Sequence, residues 1–262
     1  MKGLINLESI WRRSLKTLGV YYQWLYHKEK NAPTANMLKM RNFYRQFVEP
    51  GSLCFDIGAN MGSRVGTFLM LKARVIALEP QKQCVEQLQK VYKNEPVTVV
   101  QKGVGAKNEL KDFYIASNSL VSSFSTDWID GMKKKLKDRW DKVEKVEIVT
   151  LDQLIEEYGT PDFLKIDTEG FELEVLKGLS STVKFLSFEY TLPEPDNKAI
   201  ACLHRITELY GGKVRFNIAR DEAYSFKFPD WQSAESMIAL VSGPDFVSDN
   251  FGNYGDIYAI RG

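Results

Sequence analysis

No apolar run in this 262-residue chain reaches the roughly 18 residues that a membrane-crossing helix needs, so no spanning segment is expected. Cysteine is scarce. The three present (Cys54, Cys84, Cys202) are odd in number and lack metal-ligand spacing, which suits a reducing compartment better than a disulfide framework. Histidine is scarcer still: His27 and His204 both fall in helical stretches, where a structural or solvated role is expected. An excess of charge is also missing. With 35 Lys+Arg against 34 Asp+Glu, the formal charge of +1 gives no global electrostatic case for a nucleic-acid partner. The first residues carry Lys2, Glu8, Arg12, Arg13 and Lys16 with no continuous apolar stretch or small-residue cleavage site, so a cytoplasmic location is expected. There is no internal repeat and no low-complexity segment.

What is present is an ordinary globular composition, 44% hydrophobic with twelve tyrosines, in a length that suits one large domain. Residues 1–48 read as a helical extension. Trp11, Leu15, Leu18, Tyr22 and Leu25 follow three- and four-residue steps with Arg12, Arg13, Lys16 and Lys28 between them. That pattern suits a cap packed on the main domain, a dimer contact or a peripheral membrane contact through an interfacial helix, and it leaves oligomeric state open. Asn31-Ala-Pro-Thr interrupts it, and a second helix runs to about Phe47.

From residue 49 onward, short continuous apolar runs alternate with helical ones, which indicates strands covered on both faces and hence a parallel sheet. Strands are predicted at Ser52–Ile57, Arg74–Leu78, Val97–Val100, Phe163–Ile166, Val183–Phe188, Val214–Ala219 and Asp256–Ile260. The expected fold is α/β, doubly wound around a mostly parallel seven-stranded, Rossmann-like sheet. The 49–262 domain carries an insertion at about 109–149 with two strands of its own, Lys111–Ala116 and Val143–Val149. The lysine-rich stretch Met132–Arg139 within it reads as a solvated helix face or as a hold on an anionic substrate. Thr150-Leu-Asp-Gln153 reads as a capping box that opens a helix closed by Gly159.

The chemistry-bearing stretch is Phe55-Asp-Ile-Gly-Ala-Asn-Met-Gly62, at a strand end and a helix start. Gly58 lets the backbone turn sharply and bring N–H groups near a ligand, and Gly62 allows close approach at the helix entry. A dinucleotide fingerprint needs G-x-G-x-x-G, and Asn60 and Ser63 break it. The spacing matches instead the first S-adenosylmethionine (SAM) motif, D-x-G-x-N-x-G, with Asp56 placed to accept hydrogen bonds from an ammonium group or to hold the loop. Glu79, closing the second strand, offers two coplanar oxygens to a vicinal diol such as a ribose. Gln101-Lys-Gly103-Val104, at the third strand's end, would lie along the adenine edge. Asp162-Phe-Leu-Lys-Ile-Asp-Thr-Glu-Gly170 sets Lys165, Asp167 and Glu169 at the end of the fourth strand, on one face if the strand continues. Glu189 follows the fifth strand on the same rim. A structural Lys–carboxylate pair is the plain alternative to a functional cluster.

Val149-Thr-Leu-Asp-Gln-Leu followed by Phe163-Leu-Lys-Ile-Asp-Thr-Glu-Gly-Phe-Glu-Leu-Glu-Val-Leu-Lys-Gly178 resembles the hallmark region of the FkbM-type methyltransferases. Phe55–Gly62 and Ala77-Leu-Glu-Pro80 are similar to that family's first and second motifs. The resemblance covers residues 49–190 well and the last 70 loosely, and it departs at Gln101–Gly105. It implies a class I SAM methyltransferase that methylates a hydroxyl of a sugar, glycan or natural-product acceptor. On that resemblance Asp56, Gly58, Asn60, Gly62 and Glu79 are the SAM-contact positions, and Asp167 and Glu169 match the acidic fourth-strand motif; Gly103 and Val104 join the cofactor positions on topology, not on the resemblance.

For such a reaction Asp167 is the expected base or metal ligand, assisted by Glu169 or Glu189, with Lys165 in the same catalytic group. Asp167 and Glu169 would hold Mg²⁺ if a metal polarises the acceptor. The Ser-rich segment Asn118–Thr126 reads either as a lid over the acceptor or as a polar loop. Two other readings stand beside this one: a methyltransferase acting on a macromolecule, and a non-catalytic or membrane-associated binding module that keeps the fold.

Overall fold

A computed structural model describes residues 21–192, 198–221, 223–247 and 254–262. Trp11, Leu15 and Leu18, on which the amphipathic pattern of the first helix rests, lie outside them. The described chain opens with α1 (Tyr21–Asn31) and α2 (Ala35–Tyr44). The break at Asn31-Ala-Pro-Thr is where it was expected, and Thr34 caps α2 by accepting the Met37 N–H at 3.3 Å.

Strands and helices then alternate: β1 (Leu53–Ile57), α3 (Ser63–Met70), β2 (Arg74–Leu78), α4 (Lys82–Val91) and β3 (Val97–Val100). After the insertion come α6 (Leu151–Tyr158), β7 (Phe163–Ile166), α7 (Glu172–Lys177), β8 (Phe185–Thr191), α8 (Lys198–Leu209) and β9 (Val214–Arg220). The chain ends through β10 (Gln232–Ser233), α9 (Ala234–Ser242), α10 (Pro244–Val247) and β11 (Tyr254–Arg261). The main sheet runs β10-β9-β11-β8-β7-β1-β2-β3, parallel from β8 to β3, with β11 antiparallel between β8 and β9. This is the doubly wound class I arrangement expected from the sequence, with β10 added at one edge. The two-residue β10 and helices α9 and α10 carried no sequence signal that was read.

Alternation divides the side chains between two cores. Phe55, Ile57, Leu164, Ile166, Leu186 and Phe188 face α6–α9. Cys54, Val75, Ala77 and Phe163 face α2, α3 and α4. On this second face α2 and the turn that follows it are part of the core: Phe47 stacks on Phe163 and on Tyr258, each 5.3 Å away, and Tyr44 meets Phe68 edge-on at 5.2 Å.

The insertion makes its own three-stranded sheet in the order β4-β6-β5, from β4 (Gly103–Val104), β5 (Glu109–Ile115) and β6 (Lys142–Val149). Gly103 and Val104, beyond the end of the third main strand, turn away from it to pair with Ile148 and Val149. The expectation for the lysine-rich stretch needs correcting. Helix α5 (Thr126–Lys133) ends early in the lysine-rich stretch, so Lys134–Arg139 is not a helix face, and Lys135 donates to the Leu192 carbonyl at 3.0 Å. One strand end also differs. β8 continues through Glu189 to Thr191 because β11 pairs along it residue by residue. β7 ends at Ile166 as expected, and beyond it Glu169 (φ 53°) and Gly170 (φ 85°) turn the chain into the left-handed region, so the strand does not continue to Glu169.

Candidate active site

The sheet order reverses between β1 and β7, and the loops leaving those two strands meet there, where open α/β sheets bind ligands. Contact is close enough to dictate residue type. Gly58 has φ 87°, and a Cβ on it would lie 1.7 Å from the Asp167 carbonyl oxygen. Gly58 and Ala59 both donate to the Leu78 carbonyl, which ties the β1 loop to the end of β2. Glu79 completes that tie: one carboxylate oxygen accepts the Asn60 N–H at 2.8 Å and the other the Gln81 N–H at 2.8 Å. Burial raises the Glu79 pKa to about 7 against the lowering effect of those two amides.

A cleft opens at this junction. Gly58, Asn60 and Glu79 line one side, Gly103, Val104, Phe113 and Phe124 another, and Asp167, Thr168 and Glu169 a third. Five of the predicted cofactor positions therefore share one cleft. Two do not. Asp56 is buried inside β1 behind it, one carboxylate oxygen without a hydrogen-bond partner among the described residues, and burial raises its pKa to about 7. Gly62 faces the other way, where Leu88 and Tyr92 occupy the space a Cβ would need, 2.7 Å off. Its smallness serves helix packing. Gly103 behaves similarly, since Ile148 and Phe124 fill the space around it at 2.5 and 2.6 Å.

The Ser-rich segment roofs this cleft. Gln81 donates to the Ser119 carbonyl at 3.0 Å and accepts from the Ser122 hydroxyl at 3.2 Å, and the Ser119 hydroxyl approaches the Asn60 amide oxygen at 3.4 Å. Ser123 also donates to the Glu169 carbonyl at 2.7 Å. The segment is thus bound to the predicted nucleoside side as well as to the acidic loop.

That acidic loop is shaped by Glu172, the first residue of α7, whose Oε1 accepts from the Thr168 N–H, the Thr168 hydroxyl and the Gly170 N–H at 2.8–3.2 Å. Asp167, Glu169 and Glu189 converge, with one oxygen from each lying within 4.8 Å of the others. Behind them Lys165 is 1% exposed and donates to Asp167 at 3.1 Å and Asp256 at 2.8 Å. Burial alone would lower the Lys165 pKa, but the two carboxylates outweigh it and hold the ammonium charged. Asp167 keeps 29% of its side chain exposed. Burial pushes its pKa up, yet Lys165 and then Arg64 bring it below the ordinary value. Glu169 and Glu189 go the other way, raised well above it by burial and then by the Asp167 charge. Asp167 is therefore the ionised member of the three.

Asp256 was missed in the sequence because it arrives from β11, 91 residues from Lys165. Gln81, two residues beyond Glu79, was not singled out as a cleft residue, whereas Ser119 and Phe124 belong to the Ser-rich segment read as a lid or a polar loop. His27 and His204 are exposed, and neither lines the cleft.

Comparison with known proteins agrees with the arrangement. The hexuronic acid methyltransferase AglP of Haloferax volcanii is 25% identical over 142 residues, 53% of this chain and 55% of that protein, so the chain spans about half the length of the curated relative it matches. Solved structures superpose loosely. A precorrin-6Y C5,15-methyltransferase from Geobacter metallireducens has a TM-score of 0.40 at 14% identity, covering 86% of this chain and 84% of its own. An rRNA methylase from Streptococcus thermophilus has 0.43 at 10%, covering 84% and 93%. The methyltransferase FkbM domain matches residues 56–231, more than half of the sequence and the whole of the cleft described above. The chain belongs to the FkbM methyltransferase family.

Proposed function

We propose that the chain transfers a methyl group from SAM to a hydroxyl of a sugar or glycan acceptor, with the 49–262 domain holding the site and residues 35–48 covering one face of its sheet. One observation supports it above the others: the β1 loop and Glu79 share a cleft whose far wall is an acidic rim with one ionised member. The relative named for hexuronic acid methylation favours a sugar acceptor.

SAM would supply an electrophilic methyl carbon on a sulfonium, displaced in line by the acceptor oxygen to leave S-adenosylhomocysteine (SAH) and a methyl ether. Glu79, ionised, still has an acceptor lone pair on each oxygen for vicinal hydroxyls. Phe113 and Phe124 offer an apolar wall to a purine. Asp167 takes up the acceptor's proton, Lys165 keeps it ionised for that task, and Glu169 and Glu189 orient the hydroxyl. General base help of this kind is worth about 10²–10⁴-fold.

A second reading rests on the convergence of Asp167, Glu169 and Glu189. Three hard oxygen donors suit Mg²⁺, which would polarise the acceptor directly, although Lys165 already supplies positive charge to Asp167.

Titration calorimetry with SAH, followed by a labelled-SAM screen against glycans and hydroxylated metabolites with and without a chelator, tests both. SAH binding with chelator-insensitive transfer supports the base mechanism, and loss of turnover in chelator supports the metal. A chain that binds neither SAM nor SAH would be a non-catalytic module, and transfer confined to protein or nucleic acid would exclude the sugar acceptor.

A further inference from the structure

Behind the acidic rim stand Asp256, Tyr258 and Tyr44. The first two lie two residues apart on β11, hence on one face of the sheet, and Tyr44 comes from α2. All three fall outside residues 56–231, which match the FkbM domain. All are buried: Tyr44 is 0%, Tyr258 2% and Asp256 9% exposed.

They join one chain of hydrogen bonds. The Tyr44 and Tyr258 hydroxyls lie 3.4 Å apart, and Tyr258 donates to Asp256 Oδ2 at 3.4 Å. Asp256 Oδ1 accepts from Lys165 Nζ at 2.8 Å, and Lys165 also donates to Asp167 Oδ2 at 3.1 Å. Asp167 lines the cleft, so the chain ends at the proposed base.

Lys165 stands on β7 and Asp256 on β11, with β8 between them. Two strand spacings make about 10 Å, a gap that the lysine stem and the Asp256 carboxylate bridge together. A flexible four-carbon stem anchored at one carboxylate alone leaves its ammonium several poses, and a second carboxylate selects one of them. The shorter of the two contacts is to Asp256, the partner remote from the cleft. Asp256 therefore sets where the ammonium sits, and the ammonium sets how the Asp167 carboxylate is turned.

We propose that Asp256 is a positioning residue for methyl transfer: through Lys165 it fixes the direction in which Asp167 presents its other oxygen to the acceptor. The inference rests on the reading of Asp167 as the base. Tyr258, with Tyr44 behind it, steadies Asp256 in turn. Asp167 itself keeps 29% of its side chain exposed and returns its proton to solvent directly, so the chain orients and carries no proton.

The test compares the wild-type protein with Asp256→Ala, which removes the anchor, and Asp256→Asn, which keeps an acceptor oxygen for Lys165. Ile257→Val, in the core on the opposite face of the same strand, reports what loosening β11 does by itself. Each is titrated with SAH and assayed on the best acceptor from the labelled-SAM screen. Asp256→Ala loses about 10–100-fold in kcat, with acceptor KM and SAH affinity within about twofold of wild type. Asp256→Asn recovers most of that loss, and Ile257→Val lowers Tm without changing kcat. A further readout needs no acceptor: the ¹⁵N signal of the Lys165 ammonium, sheltered from exchange with water in the wild type, survives Asp256→Asn and is lost in Asp256→Ala.

A folded Asp256→Ala enzyme with wild-type kcat, or with the sheltered ammonium signal intact, overturns the inference. So does a kcat loss matched by equal losses in acceptor KM and SAH affinity, or an Asp256→Asn enzyme no better than Asp256→Ala. Should Asp256→Ala not fold, Tyr258→Phe decides: it loosens Asp256 and lowers kcat about threefold at constant KM, and an unchanged kcat overturns the inference. A wild-type protein that binds no SAH strikes the methyltransferase reading instead.

Discussion

Glu79 grips the Asn60 backbone: its Oε2 accepts the Asn60 N–H at 2.8 Å, while its Oε1 accepts that of Gln81 at the same distance. The residue proposed to hold the ribose therefore also shapes the loop that approaches the donor. Glu79→Gln keeps the volume but sets an amide NH₂ against one of these N–H donors. The expected result is a stability loss of about 1–3 kcal/mol by chemical denaturation, together with an SAH affinity reduced by about tenfold or more.

Gly58→Ala should be far more damaging than alanine at an unconstrained left-handed glycine. Gly58 has φ 87° and the Asp167 carbonyl in the way of a Cβ, whereas Gly211, with φ 57°, has nothing within 4 Å. We expect a loss above about 3 kcal/mol for the first and about 1 kcal/mol for the second, read from urea midpoints. Equal losses would mean that the two loops do not touch as described.

Removing the buried ammonium should unsettle the rim. Lys165→Met leaves Asp56, Asp167 and Asp256 without the cation at their centre, and breaking a buried pair in this way costs about 3–5 kcal/mol. Asp167→Asn should fold normally by comparison and lose about 10²–10⁴-fold in kcat with little change in SAH affinity. A full-rate Asp167→Asn enzyme would remove Asp167 from the chemistry.

Stability and donor affinity should move in opposite directions with pH. Burial raises the pKa of Asp56 from 3.8 and that of Glu79 from 4.5, each to about 7, and Glu169, Glu172 and Glu189 are also raised. These acids hold protons more tightly folded than unfolded. The stability they contribute is complete below their unfolded values and is lost as pH rises, by about pH 7 for Asp56 and Glu79. Asp167, with its pKa lowered, acts in the reverse sense and only in more acidic solution. The Tm of the unliganded protein should therefore fall between about pH 5 and 7. SAH affinity should rise through about pH 7 as Glu79 ionises to accept hydroxyls.

The Ser-rich roof should matter to the donor. Gln81→Ala removes its hydrogen bonds to Ser119 and Ser122. We expect SAH affinity to drop by about 3–10-fold with the acceptor KM nearly unchanged. A change confined to the acceptor KM would restore the lid-over-acceptor role that the sequence alone suggested.

Much of the frame was legible. β2, β3 and β7 begin and end where continuous apolar runs do, because a strand covered on both faces is apolar along its whole length. The Thr150 capping box forms as read, with Thr150 accepting the Gln153 N–H at 3.2 Å and Gln153 returning the bond. Glu189 was placed beyond its strand because pairing with β11, which extends β8, is invisible in local pattern. Gly62 was read as ligand-facing because a glycine signals close approach without saying what approaches. At Gly62 it is Leu88 and Tyr92.

Local chemistry in the chain determined the alternating elements, the sharp turn after β1, the acid closing β2 and the charged run ending β7. Those follow from backbone sterics and side-chain periodicity, which act over a few residues. Folding alone decided that Lys165 meets Asp256 and that the Ser-rich segment lies over the same cleft as Glu79. Each depends on segments far apart in sequence, and burial at their meeting point is what gives a carboxylate or an ammonium there its altered energy.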